Sequence, residues 1–393
     1  MKKTILAFII AVMLSACGGG PTGIVPTPYP SAPADSAFVT TSCAAIHTSV
    51  PDDVKLKGVI VFSDYKLTSN LFLKNLENGS EIPLATPNDS VLDIRISPDH
   101  KSVGYQLGNA KNEWRLIVAD AQGNRKAEHI WQKGFFMLGN WLNNDELLFL
   151  TFPPFVAFNP YTKQEKNFDY PDFPDYSLES RSNRIVLFDP SLERAVYKNN
   201  NDKVTLYDIP NKKALAEVDN HPNPSVIAAW APDGSQVAVA GTIMVTTNPS
   251  DDSDDLFIVT RDGQVKQLTH LTDHYGKQVG IYKAGLSWSP DSRSVAFWIA
   301  YPQNMYEYWD LAIYDSTTQK TTNYCISNHY ESILNATHYL LPPVWSPDGK
   351  QVIVENRYDE TSSRALILDL ETKNAYQVAE NMHPAGWLAS GTP

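Results

Sequence analysis

The sequence predicts an all-β fold: a single β-propeller of seven four-stranded blades, closed where the C-terminal strand joins the N-terminal blade. Three observations predict it, namely a short motif repeated at blade-length spacing, an apolar β-type run after each copy, and incomplete blades at the two ends. The 393-residue chain divides into a signal peptide (1–16), a lipidated cysteine with its tether and lead-in segment (17–56), and the propeller (57–393).

The repeat consists of an anchor residue followed by a tight turn. Its clearest copies are WAPDG at 230–234, WSPDS at 288–292 and WSPDG at 345–349, and weaker copies have the anchors Ile96, Trp141 and Phe188. Proline presets φ near about −65°, and Asp and Gly suit the other corners, so the motif reverses the chain between two strands. Successive anchors are 42 to 58 residues apart, the spacing of propeller blades.

The two ends of the propeller region complement each other. Residues 58–63, 70–76 and 81–84 have the pattern of second, third and fourth strands that lack a first. The segment around Trp387 has the pattern of a first strand that lacks the other three. Joining them completes a seventh blade and hides strand edges that would otherwise promote aggregation.

The Trp-Ser-Pro-Asp-Gly motif and the Val-Ala-Phe-like strand after it resemble the WD40-like (PD40) repeat of TolB-type β-propellers. The resemblance covers about residues 57–390, strongly in three blades and weakly in three. It implies the propeller fold. No separate α/β domain precedes the repeats, as one does in TolB, so the resemblance does not imply TolB's function.

The N-terminus has the pattern of an export signal. Two lysines and an apolar run within residues 2–14 lead into Leu14-Ser15-Ala16-Cys17. The apolar run is too short to span a bilayer. The last four residues resemble the bacterial lipobox, which implies a diacylglycerol on the Cys17 sulfur and a membrane anchor through that lipid. The alternative is an ordinary secretory signal with an incidental cysteine. Gly18, where an aspartate would favour retention at the inner membrane, predicts the outer membrane in a Gram-negative cell.

The segment after Cys17 is rich in Pro, Ser, Thr and Ala to about residue 35, a composition typical of a solvated tether. The net charge of −12 argues against nucleic acid or an anionic lipid surface as a partner. Cys43 and Cys325 are the remaining cysteines. In an oxidising compartment they either pair in a disulfide or stay as two separate thiols.

Two predicted loops depart from average composition. Tyr301, Tyr306, Tyr308 and Trp309 either form an exposed contact surface for a protein or glycan, or fold over their own blade. In the segment 251–255, the four carboxylates either bind a hard cation such as Ca²⁺ or form a solvated acidic hairpin tip. Those four residues are Asp251, Asp252, Asp254 and Asp255.

The remaining conspicuous residues are interpreted as scaffold, since the turn aspartates and anchor tryptophans have structural reasons to be there. No catalytic or cofactor-binding motif occurs in the sequence, and no cofactor is expected. The sequence therefore predicts a lipid-anchored envelope protein whose propeller binds a protein or, as a variant, a glycan. An enzyme of the lyase or hydrolase type, with its site at the channel mouth, is the alternative. A purely structural component of an envelope assembly is a third.

Overall fold

The computed structural model describes residues 39–64, 70–85, 89–108, 113–131, 136–151, 155–168, 173, 186–220, 226–243, 252–282, 285–301, 308–329, 341–358 and 362–391. Strands of these residues form seven sheets that follow one another around a ring. The predicted seven-bladed β-propeller is confirmed. Cys17, Tyr306 and Asp251 lie outside the described residues.

Strands are numbered along the chain. Two short strands, β1 (Val39–Thr41) and β2 (Ala45–His47), precede the blades. Blade 1 contains β3 (Val59–Asp64), β4 (Leu71–Asn75) and β5 (Glu81–Pro83), and blade 2 contains β6 (Ser90–Ile96), β7 (Ser102–Gly108), β8 (Trp114–Asp120) and β9 (Arg125–Trp131). Blade 3 contains β10 (Phe136–Trp141), β11 (Leu147–Thr151), β12 (Phe155–Asn159) and β13 (Gln164–Phe168). Blade 4 contains β14 (Leu187–Phe188), β15 (Arg194–Lys198), β16 (Lys203–Asp208) and β17 (Lys213–Asp219). Blade 5 contains β18 (Ala228–Trp230), β19 (Gln236–Ile243), β20 (Ser253–Thr260) and β21 (Val265–Gln267). Blade 6 contains β22 (Gly280–Ile281), β23 (Ser287–Trp288), β24 (Ser294–Ala300), β25 (Tyr308–Asp315) and β26 (Lys320–His329). Blade 7 contains β27 (Val344–Trp345), β28 (Gln351–Arg357), β29 (Ser363–Asp369) and β30 (Asn374–Glu380). The last strand is β31 (Met382–Leu388).

Inner strands are buried on both faces because each blade packs between two others. In β28, alternation sends Val352 and Val354 toward blade 6 and Ile353 toward blade 1, into separate apolar cores. The fourth strand of a blade borders solvent, and in β13 the first four residues are exposed. Turns after the first and third strands lie on one face of the ring, here the lower face. The connections after the second and fourth strands lie on the opposite, upper face.

The repeated motif forms the turn after the first strand. In blade 7, Ser346 Oγ donates to Asp348 Oδ1 (2.7 Å) and accepts from the Gln351 N–H (2.9 Å). Gly349 follows with φ +70°, a backbone region that glycine adopts without steric strain. The corresponding serine and aspartate make the same side-chain bond in blades 2 and 6. These contacts give the turn aspartates a structural role.

The C-terminal strand closes the ring as predicted. β31 is the innermost strand of blade 1 and pairs antiparallel with β3, with Trp387 opposite Ile60. Both Trp387 and Leu388 are fully buried. The Trp387 Nε1–H also donates to the Lys57 carbonyl (3.1 Å). The two ends of the propeller therefore share one blade.

Residues 39–47, here called the strap, run along the outside of two blades. β1 pairs in parallel with β26 of blade 6, Val39 opposite Thr321, and β2 pairs in parallel with β30 of blade 7. Between them, Cys43 is joined in a disulfide to Cys325, with Cα atoms 4.7 Å apart and 282 positions between them in sequence. The structure thus contains the disulfide and not two separate thiols.

A short helix, α1 (Leu271–Tyr275), lies in the connection between blades 5 and 6. Its first N–H, from Leu271, donates to Asp255 Oδ1 (2.8 Å), so that carboxyl holds the connection against β20. Across the described ranges, no helix has the length and hydropathy needed to cross a bilayer.

Candidate functional site: the central channel

The innermost strands surround a central channel of about 790 Å³. Its two walls differ in chemistry. The lining from blades 1 to 3 is mixed, and apart from Ser287 it holds all the polar lining residues, which are Ser63, Asp93, Arg95, Ser97, His100, Asn140, Asn143 and Asn144. Blades 4 to 7 contribute mainly apolar lining, including Phe188, Trp230, Leu286, Trp288, Pro343 and Trp345. Such a channel suits a ligand with one apolar and one polar side.

Indole hydrogen bonds hold the channel wall together. In each case the Nε1–H of an anchor tryptophan donates to a backbone carbonyl in the innermost strand of the preceding blade. The four bonds are Trp141 to Arg95 (3.0 Å), Trp230 to Leu187 (3.1 Å), Trp288 to Ala229 (2.9 Å) and Trp345 to Ser287 (3.0 Å). The anchors thus act as scaffold residues and fix the wall that a ligand would meet.

An ion pair lies on the polar wall, in β6. Arg95 Nη1 donates to Asp93 Oδ1 and to the Ile94 carbonyl (2.8 Å). Burial raises the pKa of the Asp93 carboxyl, while Arg95 and the Ile94 N–H oppose that rise. The pairing of β6 with β7 shifts register between Val91 and Asp93, and bulges of this kind re-aim side chains. Leu92, within the bulge, lines the channel and is 47% exposed, so an apolar and a charged group lie side by side near the upper mouth.

The predicted aromatic segment is packed onto its blade where it is described. The Tyr301 hydroxyl donates to Asp310 Oδ2 (2.7 Å), and its ring stacks on Tyr275 with centroids 4.5 Å apart. The Trp309 ring meets Tyr282 edge-on at 4.7 Å, and Tyr308 is half-buried. Tyr301 and Trp309 thus have the arrangement expected if the segment folds over its own blade, and none of Tyr301, Tyr308 and Trp309 lines the channel.

The predicted acidic loop is partly a buried strand, which corrects the interpretation of a solvated hairpin tip. Asp254 and Asp255 belong to β20 and are 7% and 0% exposed. Asp254 Oδ2 accepts from the Ile281 N–H (3.0 Å), so both carboxylates serve backbone groups of the following connection. Asp252 is half-buried beside β20. No set of three or more His, Cys, Asp or Glu side chains in the described part of the chain has the arrangement of a metal site.

Asp255 is expected to make stability depend on pH. Burial raises the pKa of its carboxyl to about 7, although Thr269, Leu271 and Gln267 all donate to it. The folded state therefore keeps a proton that the unfolded chain has lost above about pH 4. Between about pH 4 and 7 the free energy of unfolding should fall as pH rises, by up to about 1.4 kcal/mol per pH unit. Urea unfolding across this range measures the slope.

The matched pair of variants is Asp255→Asn and Asp273→Asn. The first should lose this contribution to the slope, because an amide does not titrate. The second should keep it, since the Asp273 side chain is 77% exposed. An identical slope in Asp255→Asn and the unmodified protein would contradict the assignment.

A buried charge cluster lies between blade 7 and the closing strand. Glu355 Oε1 accepts from Arg357 Nε (2.8 Å), and its Oε2 accepts from His383 Nδ1 (2.6 Å). All three residues are at most 2% exposed. No sequence pattern marks these residues, because Glu355 and His383 are 28 positions apart and belong to no motif. The cluster joins β28 to β31 at the upper end of the ring.

Comparison with known proteins is informative about the fold. No protein-family model matches the chain, and no curated protein matches its sequence. An oligogalacturonate lyase in complex with manganese aligns over 83% of this chain and 86% of its own, with a TM-score of 0.51 and 12% identity. TolB from Acinetobacter baumannii aligns over 84% of this chain with a TM-score of 0.44 and 12% identity, and this chain spans 65% of that one.

An uncharacterized protein from Listeria monocytogenes EGD-e aligns over 84% of this chain and 98% of its own, with a TM-score of 0.47 and 12% identity. At 12% identity these similarities concern the fold alone. The β-propeller is shown by the seven sheets of this chain, and its function has to be inferred from its own site.

Proposed function

We propose that this chain is a lipid-anchored envelope protein that binds a partner protein at the upper mouth of its channel. The observation that carries the binding proposal is the two-walled channel. Leu92, about half exposed, lies beside the Asp93–Arg95 pair and opposite an apolar wall. A protein segment supplies apolar and hydrogen-bonding groups together, which matches both walls.

The Cys43–Cys325 disulfide supports the envelope location. Disulfides persist in oxidising compartments and are rare in a reducing cytosol. This disulfide fits the export signal expected at residues 1–16, with Cys17 as the lipid-bearing residue. A position on the membrane outside the cytoplasm accommodates both the disulfide and the lipid-bearing cysteine.

The strap supports a particular orientation on the membrane. β1 runs parallel to β26, which begins after the lower-face turn of blade 6, so Val39 lies at the lower rim. A tether that reaches the strap from Cys17 therefore arrives at the lower face. The upper mouth, with Leu92 and Asp93, then points away from the lipid surface toward partners.

The channel geometry favours binding over catalysis. Among the described lining residues, the titratable ones are Asp93, Arg95 and His100. His100 lies in the lower-face turn, where its Nδ1 bonds the Trp387 carbonyl (2.8 Å). It therefore does not converge with Asp93 on one reacting centre, as acid–base catalysis would require.

The anchor is tested by labelling cells with radioactive palmitate. Cys17→Ser should abolish the label and shift the protein from the membrane to the soluble fraction, because the thiol is the acceptor of the lipid. Cys43→Ser/Cys325→Ser, which removes the other two cysteines, should leave labelling intact. Unchanged labelling of Cys17→Ser would exclude Cys17 as the anchor.

The binding site is tested by photo-crosslinking in cells. A benzoylphenylalanine in place of Leu92 should capture a defined protein. The same probe in place of Tyr161, which is 41% exposed in the lower-face turn of blade 3, should not capture that protein. Equal capture from both positions, or none from position 92, would overturn the proposed site, and substrate turnover lost in Asp93→Asn would favour an enzyme.

A further inference from the structure

The strap is held with little side-chain burial. In β2 all three residues are exposed, and Ile46 remains 38% exposed. In β1 only Val39 is buried. Besides its backbone pairing, the strap makes few side-chain contacts. The Thr40 hydroxyl lies 3.4 Å from the Thr321 carbonyl and from Thr322 Oγ1, and Ala44 packs against the core between blades 6 and 7. His47 Nε2 bonds Asn374 Oδ1 (3.1 Å) and its ring stacks on Tyr376. Packing of this kind stabilises a segment weakly, so the disulfide is the strongest single link.

The backbone is shaped to present Cys325 to the strap. Cys325 has φ +55°, in the left-handed region that residues other than glycine seldom adopt. The pairing of β25 with β26 shifts register between Asp310 and Ala312, opposite this residue. The bulge removes Cys325 from the regular ladder at the position where its sulfur meets Cys43. Such strained positions cluster at functional sites and switch regions.

The disulfide is open to attack from solvent. Cys43 is exposed and Cys325 is half-buried. A thiolate can therefore approach the Cys43 sulfur without disturbing a blade. Exposed disulfides of this kind are the labile or regulatory ones, in contrast to those sealed in a core.

We propose that the Cys43–Cys325 disulfide is a redox latch, whose reduction by a dithiol releases the strap while the propeller ring stays closed. The ring does not depend on the strap for closure. β3 begins at Val59, beyond the strap, and its partner in closure is β31. Trp387 and its neighbours remain buried whether or not residues 39–47 lie along blades 6 and 7.

The chemistry is a thiol–disulfide exchange. One thiolate of the dithiol attacks the Cys43 sulfur, forms a mixed disulfide and expels the Cys325 thiolate, which takes up a proton. The second thiol of the reductant then attacks the reductant sulfur that is bonded to Cys43, and this step frees Cys43 as a thiol. Two electrons pass to the cysteine pair, and the reductant leaves as a cyclic or intramolecular disulfide.

Release changes the reach of the propeller, a consequence that rests on the proposed lipid anchor. With the latch closed, 21 residues (18–38) lie between Cys17 and the strap, and this stretch extends at most about 75 Å. With the latch open, the free segment extends to about residue 49 and spans at most about 110 Å, because Val50, Val54 and Leu56 pack against the core between blades 7 and 1. Release also uncovers the outer edges of β26 and β30, whose unpaired backbone groups can accept a strand from another chain.

The latch is tested by hydrogen exchange on the purified full chain, with and without dithiothreitol. The reporters are the strap amides of Ser42, Ala44 and Ala45, which donate to carbonyls of residues 323, 324 and 373. Reduction should speed their exchange at least tenfold and leave the amides of Ile353 and Val354 in β28 unchanged. Cys43→Ser/Cys325→Ser should behave like the reduced protein without any reductant. The sequence has only one other cysteine, Cys17, so the reductant has no second intramolecular target.

Two outcomes would overturn the latch. If the strap amides stay equally protected after reduction, the backbone pairing alone holds the strap. If the strap and β28 amides become exposed together, the disulfide stabilises the whole ring. Failure of the lipid anchor is a separate result, since Cys17→Ser protein would still show release of its strap on reduction.

Discussion

Deletion of residues 384–393 should abolish the folded propeller. The deletion removes most of β31, and with it Trp387 and Leu388, both fully buried. β3 would lose its partner along the channel and expose an unpaired inner edge to solvent. Loss of one buried tryptophan alone costs about 3 to 5 kcal/mol. Removal of the strand adds lost pairing and lost burial, against a total stability of about 5 to 15 kcal/mol.

The measurement is thermal unfolding followed by circular dichroism, together with the soluble yield. Trp387→Ala and Trp387→Phe form the matched pair. The alanine variant should lose about 3 to 5 kcal/mol of unfolding free energy. The phenylalanine variant keeps an aromatic ring and loses mainly the Nε1 bond to the Lys57 carbonyl, worth about 1 kcal/mol. A truncated chain with an unchanged melting temperature would refute the closure by β31.

Local sequence determines most of the fold, because each blade is specified by contacts close along the chain. The tight turn built from Ser346, Asp348 and Gly349 is encoded in four consecutive residues. The run after it alternates between two apolar cores. Closure was also predictable from the two ends of the propeller region. The N-terminal end has three strands of a blade without the first, and the C-terminal end has a first strand without the other three.

The strap left no comparable signal in the sequence. β1 and β2 have three residues each, and β2 buries none of its side chains, so no apolar periodicity marks them. Their partners lie 282 and 329 positions away. The two cysteines limited the alternatives to a disulfide or two thiols, and the spatial approach of the strap to blade 6, which the sequence does not reveal, decides for the disulfide. Short strands with almost no buried side chains cannot be found from composition.

The acidic segment was interpreted from its composition, and the backbone geometry corrected that interpretation. Consecutive aspartates are typical of solvated turns, yet Asp254 and Asp255 extend β20 and accept hydrogen bonds from the connection beyond it. The donors belong to Leu271 and Ile281, in a different part of the chain. A buried carboxylate is specified by its distant donors, which are identified only once the strands are in place.

Glu355→Ala should destabilise the propeller strongly. The Glu355 carboxylate accepts hydrogen bonds from both Arg357 and His383. Its removal takes this countercharge away from the guanidinium of Arg357, a residue that is only 1% exposed. Breaking a buried ion pair by removing one partner costs about 3 to 5 kcal/mol. Because His383 belongs to the closing strand, the loss also weakens the junction of blades 7 and 1.

A triple variant separates the contribution of the ionic contacts from the penalty of removing one member of a buried charge cluster. Glu355→Leu/Arg357→Met/His383→Phe replaces all three groups by apolar side chains of similar size. Such replacements are often neutral or stabilising, since no charge remains to be desolvated. The triple variant should therefore recover most of the stability lost in Glu355→Ala, as measured by the urea midpoint at constant m-value. Comparable losses in both variants would mean that the cluster stabilises closure through its ionic contacts themselves, and not merely by leaving no charge unpaired.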